Sequence, residues 1–326
     1  MIRTTFYEQE AANRRESIAL VIVVMAVLAA LGFAIGYGTS GYLEGGLVVT
    51  IGALLLGTLL SVGSYFGGDQ LVLASSGAKE VDAQSAPQLI NVVQEMSIAA
   101  GTPMPKVYII DDTAPNAFAT GRDPQHASVA VTTGLLQKLD REELQGVLGH
   151  ELSHVRNFDI RFALLVAVLV GSIALLADFF LRFTFWGGGR RSSRDSGGGG
   201  GGLAAIVFVF AIILAIIAPI VAALVQLAVS RQREYLADAS SVELTRNPHG
   251  LEGALAKIAS DKEVLEVANR ATAHLYFTNP IKKFEARSSG MMSTHPPIVD
   301  RINRLRELTG EARLTAEDMR ALRGLD

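Results

Sequence analysis

The chain has 326 residues, 49% of them hydrophobic and only 19% charged, with a mean hydropathy of +0.33. That composition excludes a disordered chain, and the apolar excess falls in a few long uncharged runs, the mark of membrane spans. The net charge of −3 lacks the basic footprint of a nucleic-acid binder, and the absence of cysteine excludes disulfides, thiolate metal sites and a cysteine nucleophile. Any metal must be held by His, Asp or Glu, and the chain has six His.

An N-terminal segment, residues 1–17, precedes two uncharged runs, Ile18–Gly38 and Gly45–Gly68. At about 1.5 Å rise per residue each crosses a hydrocarbon core of about 30 Å. The short link Thr39–Glu44 makes them a helical hairpin over 18–68. A cleaved signal peptide is the rival for the first run, but signal h-regions run only about 7–15 residues.

The polar block 75–160 follows. Ser85 and Pro87 predict a helix start, with Leu89, Val92, Val93 and Met96 at helical spacing and Gly101 as the stop. Lys106–Ile110 and Ser128–Thr133 predict strands. Between them Asn116–Thr120 reads as a turn or short strand. Its Asn116–Ala119 part is either a strand edge for an extended substrate or an ordinary internal strand. Asp140 with Glu143 predicts a capping box that opens a helix with Leu144, Val147, Leu148, Leu152 and Val155 on one face. Asn157 and Asp159 end that helix.

A second membrane hairpin is expected over 162–229, with spans at 162–181 and 203–229 and a kink at Pro219. The loop 187–202 between them is Gly-rich, carries Arg190, Arg191 and Arg194, and reads as flexible. The block 230–326 reads as mostly helical. Arg3, Arg14 and Arg15 before the first span, and Arg156, Arg161, Arg231 and Arg233 around the second hairpin, place those ends in the cytoplasm. The arginines of the 187–202 loop disagree, which leaves open whether the third and fourth runs fully cross. The two polar blocks together suffice for one α+β, mainly helical domain, split by the second hairpin.

The chemistry lies on the helix opened by Asp140, in His150-Glu151-Leu152-Ser153-His154. Residues i and i+4 share a face, so both imidazoles can reach one Zn²⁺ at about 2.0–2.1 Å. Glu151, about 100° round the helix, stands where it can take a proton from an activated water and return it to a leaving amine. A catalytic zinc usually has a third protein ligand. The best local candidate is the segment Arg231–Asp238, where Glu234 and Asp238 share a helix face. Glu234 can ligate while Asp238 orients a ligating His; a charged helix exit at the membrane surface is the competing reading.

The segments H-E-L-S-H-V-R-N-F-D at 150–159, S-R-Q-R-E-Y-L-A-D at 230–238, P-N-A-F-A-T-G at 115–121, V-A-V-T-T-G-L-L at 129–136 and T-H-P-P at 294–297 resemble the HtpX family of membrane-bound zinc metallopeptidases. That family is related to the CAAX prenyl endopeptidases. The order of segments and the two hairpins match along nearly the whole chain. The resemblance implies a zincin-like cytoplasmic peptidase domain, one Zn²⁺ held by His150, His154 and Glu234, and Glu151 as general base. It implies a multi-pass protein of the cell membrane that cleaves membrane proteins or unfolded polypeptides in quality control or stress response. An ATP-dependent membrane protease is a family-type partner.

His295 resembles the family's H-P segment near the active site and is a candidate donor to the oxyanion; a helix-start residue before Pro296 is the alternative. Arg301 either pairs with Asp238 or stays a surface charge. Arg231 either braces the same shell or meets lipid headgroups. His126, His249 and His274 are expected not to bind zinc. Glu234 follows the fourth span and His154 precedes the third, which places the site at the membrane surface. Two other functions compete: a scaffold or holdase with a structural zinc, disfavoured because closed sites want four ligands, and a prenyl-protein-processing endopeptidase, for which more spans are expected.

Overall fold

The structure, a computed structural model, describes residues 6–161, 173, 177–178, 209, 212–213, 216, 231, 233–261, 263, 277, 296–315 and 317–318. Most of the third and fourth expected spans, the loop 187–202, His274 and His295 lie outside the described residues. The chain divides into two compact units. One comprises Met1–Asn13, Phe66–Leu164 and Leu227–Asp326, the other Arg14–Tyr65 and Leu165–Gln226.

Two long helices, α1 (Phe6–Ser40) and α2 (Leu43–Ser75), open the chain. Both run past the expected spans. Glu8, Gln9, Glu10, Ala11 and Ala12 are good helix formers, so the helical state continues into the charged segment. The stretches Val21–Ser40 and Leu43–Gly63 are long and apolar enough to cross a membrane. Their packing is of the membrane type. Large aliphatics such as Ile22, Val48, Leu55 and Leu59 face outward, while glycines line the contact between the helices. A methyl group on Gly36 would strike the Gly45 carbonyl, and one on Gly32 would press on Thr50 and Ala53.

The other unit is built on a four-stranded sheet of β1 (Lys79–Glu80), β2 (Lys106–Ile110), β3 (Ala117–Gly121) and β4 (Ala127–Thr132), in the order β1-β2-β4-β3. β2 and β4 run parallel; β3 pairs antiparallel with β4, Phe118 opposite Ala130, and forms one edge. The Asn116–Thr120 stretch is therefore strand from Ala117 onward. Alternation sorts β4 between two cores. Val129 and Val131 face the main core, and Ala130 faces a small cluster with Phe118, Ile110 and Leu73 near the end of α2.

The main core is formed by the sheet and α3 (Pro87–Ala100), α4 (Thr133–Lys138), α5 (Arg141–Arg156), α6 (residues 233–245), α7 (Pro248–Ser260) and α8 (Ile298–Thr309). Helix α3 starts with Pro87 in its first turn and stops at Gly101, whose φ of 67° is the left-handed conformation that glycine adopts cheaply. Helix α5 starts with the expected capping box: the Asp140 side chain accepts from the Glu143 N–H, and the Glu143 side chain accepts from the Asp140 N–H.

Three helices meet closely at α5. A Cβ on Gly146 would lie 2.6 Å from the Leu251 nitrogen, and one on Gly250 would lie 2.5 Å from the Glu142 carbonyl oxygen, so α5 and α7 touch backbone to backbone. On the next face, Ser241 of α6 donates to the Gly146 carbonyl at 2.6 Å, beside Gly149. Val147, Leu148, Leu152 and Val155 are fully buried, each contributing about 1.5–3 kcal/mol. The helix carrying His150 and His154 is thus fixed along its length before any side-chain chemistry is considered.

Candidate metal centre

The contact between α5 and α6 brings the two motifs of the sequence together. His150 Nε2 lies 3.2 Å from His154 Nε2, and the two carboxylate oxygens of Glu234 face one nitrogen each, Oε2 at 3.5 Å from His150 Nε2 and Oε1 at 3.5 Å from His154 Nε2. A tetrahedral zinc with ligands at about 2.0–2.1 Å holds its ligand atoms about 3.3 Å apart. The donor set is therefore already at zinc spacing, and its chemistry, two imidazoles and a carboxylate, suits that ion. His150 and Glu234 are buried, and His154 is partly exposed, which leaves an approach from that side.

Each imidazole is held from behind by a carboxylate. Asp238, one turn beyond Glu234 on α6, lies 2.9 Å from His150 Nδ1. Asp159 lies 3.1 Å from His154 Nδ1. The sequence alone marks Asp159 only as a helix stop. The helix does break there, at Asn157 and Phe158, but Phe158 takes a left-handed φ of 60°, and the turn brings Asp159 back under His154. Asp159 stands five residues after His154 and three after the helix end at Arg156.

Burial raises the Glu151 carboxyl above the ordinary range, against the pull of His150 and His154. The backbone of Ala119 in β3 adds a smaller pull in the same lowering direction. Burial alone would lower His154, but hydrogen bonds with Asp159 and Glu234 carry it well above the usual imidazole value. Burial would raise Asp238, but the charge of Arg301 holds it below the usual carboxylate value.

Arg301 is fully buried and pairs with Asp238 through Nε at 2.9 Å and Nη2 at 2.6 Å, so the surface-charge alternative is set aside. The arginine facing Asp159, at 3.5 Å, is Arg233. Arg231 is helical and stands two residues before the start of α6. Phe277 packs its ring edge-on against His150, centroids 4.9 Å apart, and donates its N–H to the Ala117 carbonyl at 2.7 Å. Nothing in the sequence signalled it.

His126 is exposed and bonded to Asp123. His249 is exposed near Glu252 and Glu311. Those three side chains could hold a metal ion, and the two carboxylates also face Arg306 at 3.5 and 3.6 Å.

An HExxH helix crossed by a second helix that brings a glutamate defines a metallopeptidase. The family model described as peptidase family M48 matches residues 83–309, and the chain belongs to that family. It is 47% identical to a protease HtpX homolog of Streptococcus agalactiae over 302 residues, 93% of this chain and 99% of that one. It is 43% identical to a protease HtpX homolog of Caldanaerobacter subterraneus over 309 residues, 95% of this chain and all of that one. Among solved structures, S. mikatae Ste24p is similar with a TM-score of 0.44 and 16% identity, over 78% of this chain and 57% of that one.

Proposed function

We propose that the chain is a membrane-bound zinc endopeptidase that hydrolyses peptide bonds of membrane proteins close to the cytoplasmic membrane surface. The observation that carries this is the convergence of His150, His154 and Glu234, from two segments far apart in sequence, at zinc-ligand spacing beside the buried carboxyl of Glu151. Membership of the M48 family and two apolar helices support a membrane metalloprotease. The surface location is supported by the sequence on either side of the 162–229 run. His154 shortly precedes it and Glu234 shortly follows it. On this reading the 162–229 run is a hairpin that splits the peptidase domain. The substrates are loops, tails or unfolded stretches of membrane proteins, as in quality control, and an ATP-dependent membrane protease is the expected partner.

His150, His154 and Glu234 would hold the zinc, and a bound zinc supplies the Lewis acidity that activates water and the scissile carbonyl. Glu151 does the proton work. Its carboxylate takes one proton from the attacking water as the C–O bond forms, and gives it to the amide nitrogen as the C–N bond breaks. Asp238 and Asp159 accept from the Nδ1–H of the two histidines, which leaves both Nε2 lone pairs directed inward.

Glu151→Gln is expected to keep zinc and lose about 10²-fold or more of the cleavage rate on an unfolded substrate such as casein, because the base cannot be replaced by an amide. Glu234→Ala is expected to lose zinc. Full activity in the first variant, or full zinc in the second, would overturn this assignment.

A further inference from the structure

Arg301 is the largest fully buried side chain among the described residues. A guanidinium stripped of water is costly unless every N–H finds a partner. Its partners all lie around the metal centre. Nε and Nη2 grip the two oxygens of Asp238 as a fork, and Nη1 donates to the Phe277 carbonyl at 3.1 Å. The same Nη1 is 3.7 Å from Glu234 Oε2, and Nη2 is 3.4 Å from His150 Nδ1. The guanidinium also lies over the Phe277 ring, 4.6 Å from its centroid. An apolar residue would fill this space without the desolvation cost, so packing alone does not account for an arginine.

The hydrogen-bond logic is directional. Arginine only donates. Asp238 Oδ1 therefore accepts both from Arg301 Nη2 and from His150 Nδ1, at 2.6 and 2.9 Å. The hydrogen between His150 and Asp238 sits on Nδ1, and the lone pair of His150 must be on Nε2, which faces His154 and Glu234. A carboxylate held at one oxygen can swing about its Cβ–Cγ bond; one held at both by a planar fork cannot.

We propose that Arg301 is a positioning residue of the metal centre: its fork fixes the plane of Asp238, Asp238 fixes the ring of His150, and helix α8 thereby sets the affinity for zinc. The proposal rests on the reading of His150, His154 and Glu234 as zinc ligands. Arg301 itself touches neither metal nor substrate. It differs from a support that merely stabilises the fold in acting on metal affinity through one named side chain.

The test is zinc affinity of the full-length protein in detergent, measured by competition with a chelating indicator. Arg301→Met is expected to weaken zinc about 10–100-fold. Arg301→Lys keeps the charge but not the fork and should fall between Met and wild type; it also decides the matter if the Met variant does not fold. Asp238→Asn should weaken zinc, and the Arg301→Met/Asp238→Asn double variant should be no weaker than the weaker single, because both act on one link. Ile302→Val trims the same helix without touching the site and should leave affinity unchanged.

Wild-type affinity in Arg301→Met or Arg301→Lys would overturn the proposal, as would multiplicative losses in the double variant. An Ile302→Val loss equal to that of Arg301→Met would reduce the role to helix stability and overturn it as well. Glu234→Ala separates the two levels. Zinc retained there removes the metal centre itself; zinc lost there but kept by Arg301→Met removes only the arginine's part.

Discussion

Asp159 Oδ2 sits 3.1 Å from His154 Nδ1, although the helix that carries His154 has ended between them. The two histidines are thus treated alike, one held by a carboxylate of α6 and one by a carboxylate just past α5. Asp159→Asn keeps the shape but replaces an ionised acceptor by an amide. Zinc affinity is expected to fall about 10-fold or more. Unchanged affinity in a chelator competition would show that His154 needs no such support.

Gly146→Ala should destabilise the protein. In an open helix the added methyl group would help by about 1 kcal/mol. Here it lands 2.6 Å from the backbone nitrogen of Leu251, so α5 and α7 must part, and a net loss of about 1–3 kcal/mol is expected. Denaturant unfolding of the purified chain measures it; a rise in stability would show that the helices separate freely.

Thr132→Val tests how the sheet edge is held. The Thr132 hydroxyl accepts from the Asn116 N–H at 2.9 Å and the Leu135 N–H at 3.2 Å, and donates to the Ala114 carbonyl at 2.8 Å. Valine has the same shape and leaves both donors without that acceptor. The loss should be about 2–4 kcal/mol in denaturant unfolding. A loss below about 0.5 kcal/mol would mean that the hydroxyl is not what holds β3 in register.

The metal-free protein should lose stability as pH rises. His154 is raised well above 6.5 by Asp159 and Glu234 once the cost of burial is met, so its contribution is complete below 6.5 and is lost as pH climbs through the raised value. Glu151, raised by burial above 4.5, acts in the same direction. Asp238 acts oppositely: lowered below 3.8, it contributes above 3.8 and is lost as pH falls through its folded value. Thermal unfolding in EDTA is expected to show a Tm that falls as pH rises above 6.5, and the decline should be reduced or reversed with zinc, which requires neutral imidazoles. A metal-free Tm that climbs over that range would contradict the assignment.

What could be read in advance was what local physics decides. The cap at Asp140, the Pro87 start, the left-handed stop at Gly101 and the shared face of His150 and His154 depend on residues a few places apart. Glu234 was legible only as one candidate until the family resemblance singled it out. The role of Asp159 was hidden because it needs Phe158 in a conformation that non-glycine residues seldom take. Phe277 and the burial of Arg301 depend on contacts across the fold, which no spacing encodes. The outer helices outran the expected spans because hydropathy marks where lipid is tolerated, while the helix itself continues as far as propensity allows.

The order in which the centre's parts occur along the chain has a consequence for its birth. Translation delivers His150 and His154 first, Glu234 some eighty residues later and Arg301 later still. With His150, His154 and Glu234 as the proposed ligands, a nascent chain has its histidines made but its ligand set incomplete, and so lacks the means of cutting neighbouring chains during its own synthesis. On the proposed reading metal capture belongs to the end of biogenesis, and the early fold rests on the core that the sheet and α3 build with the apolar face of α5.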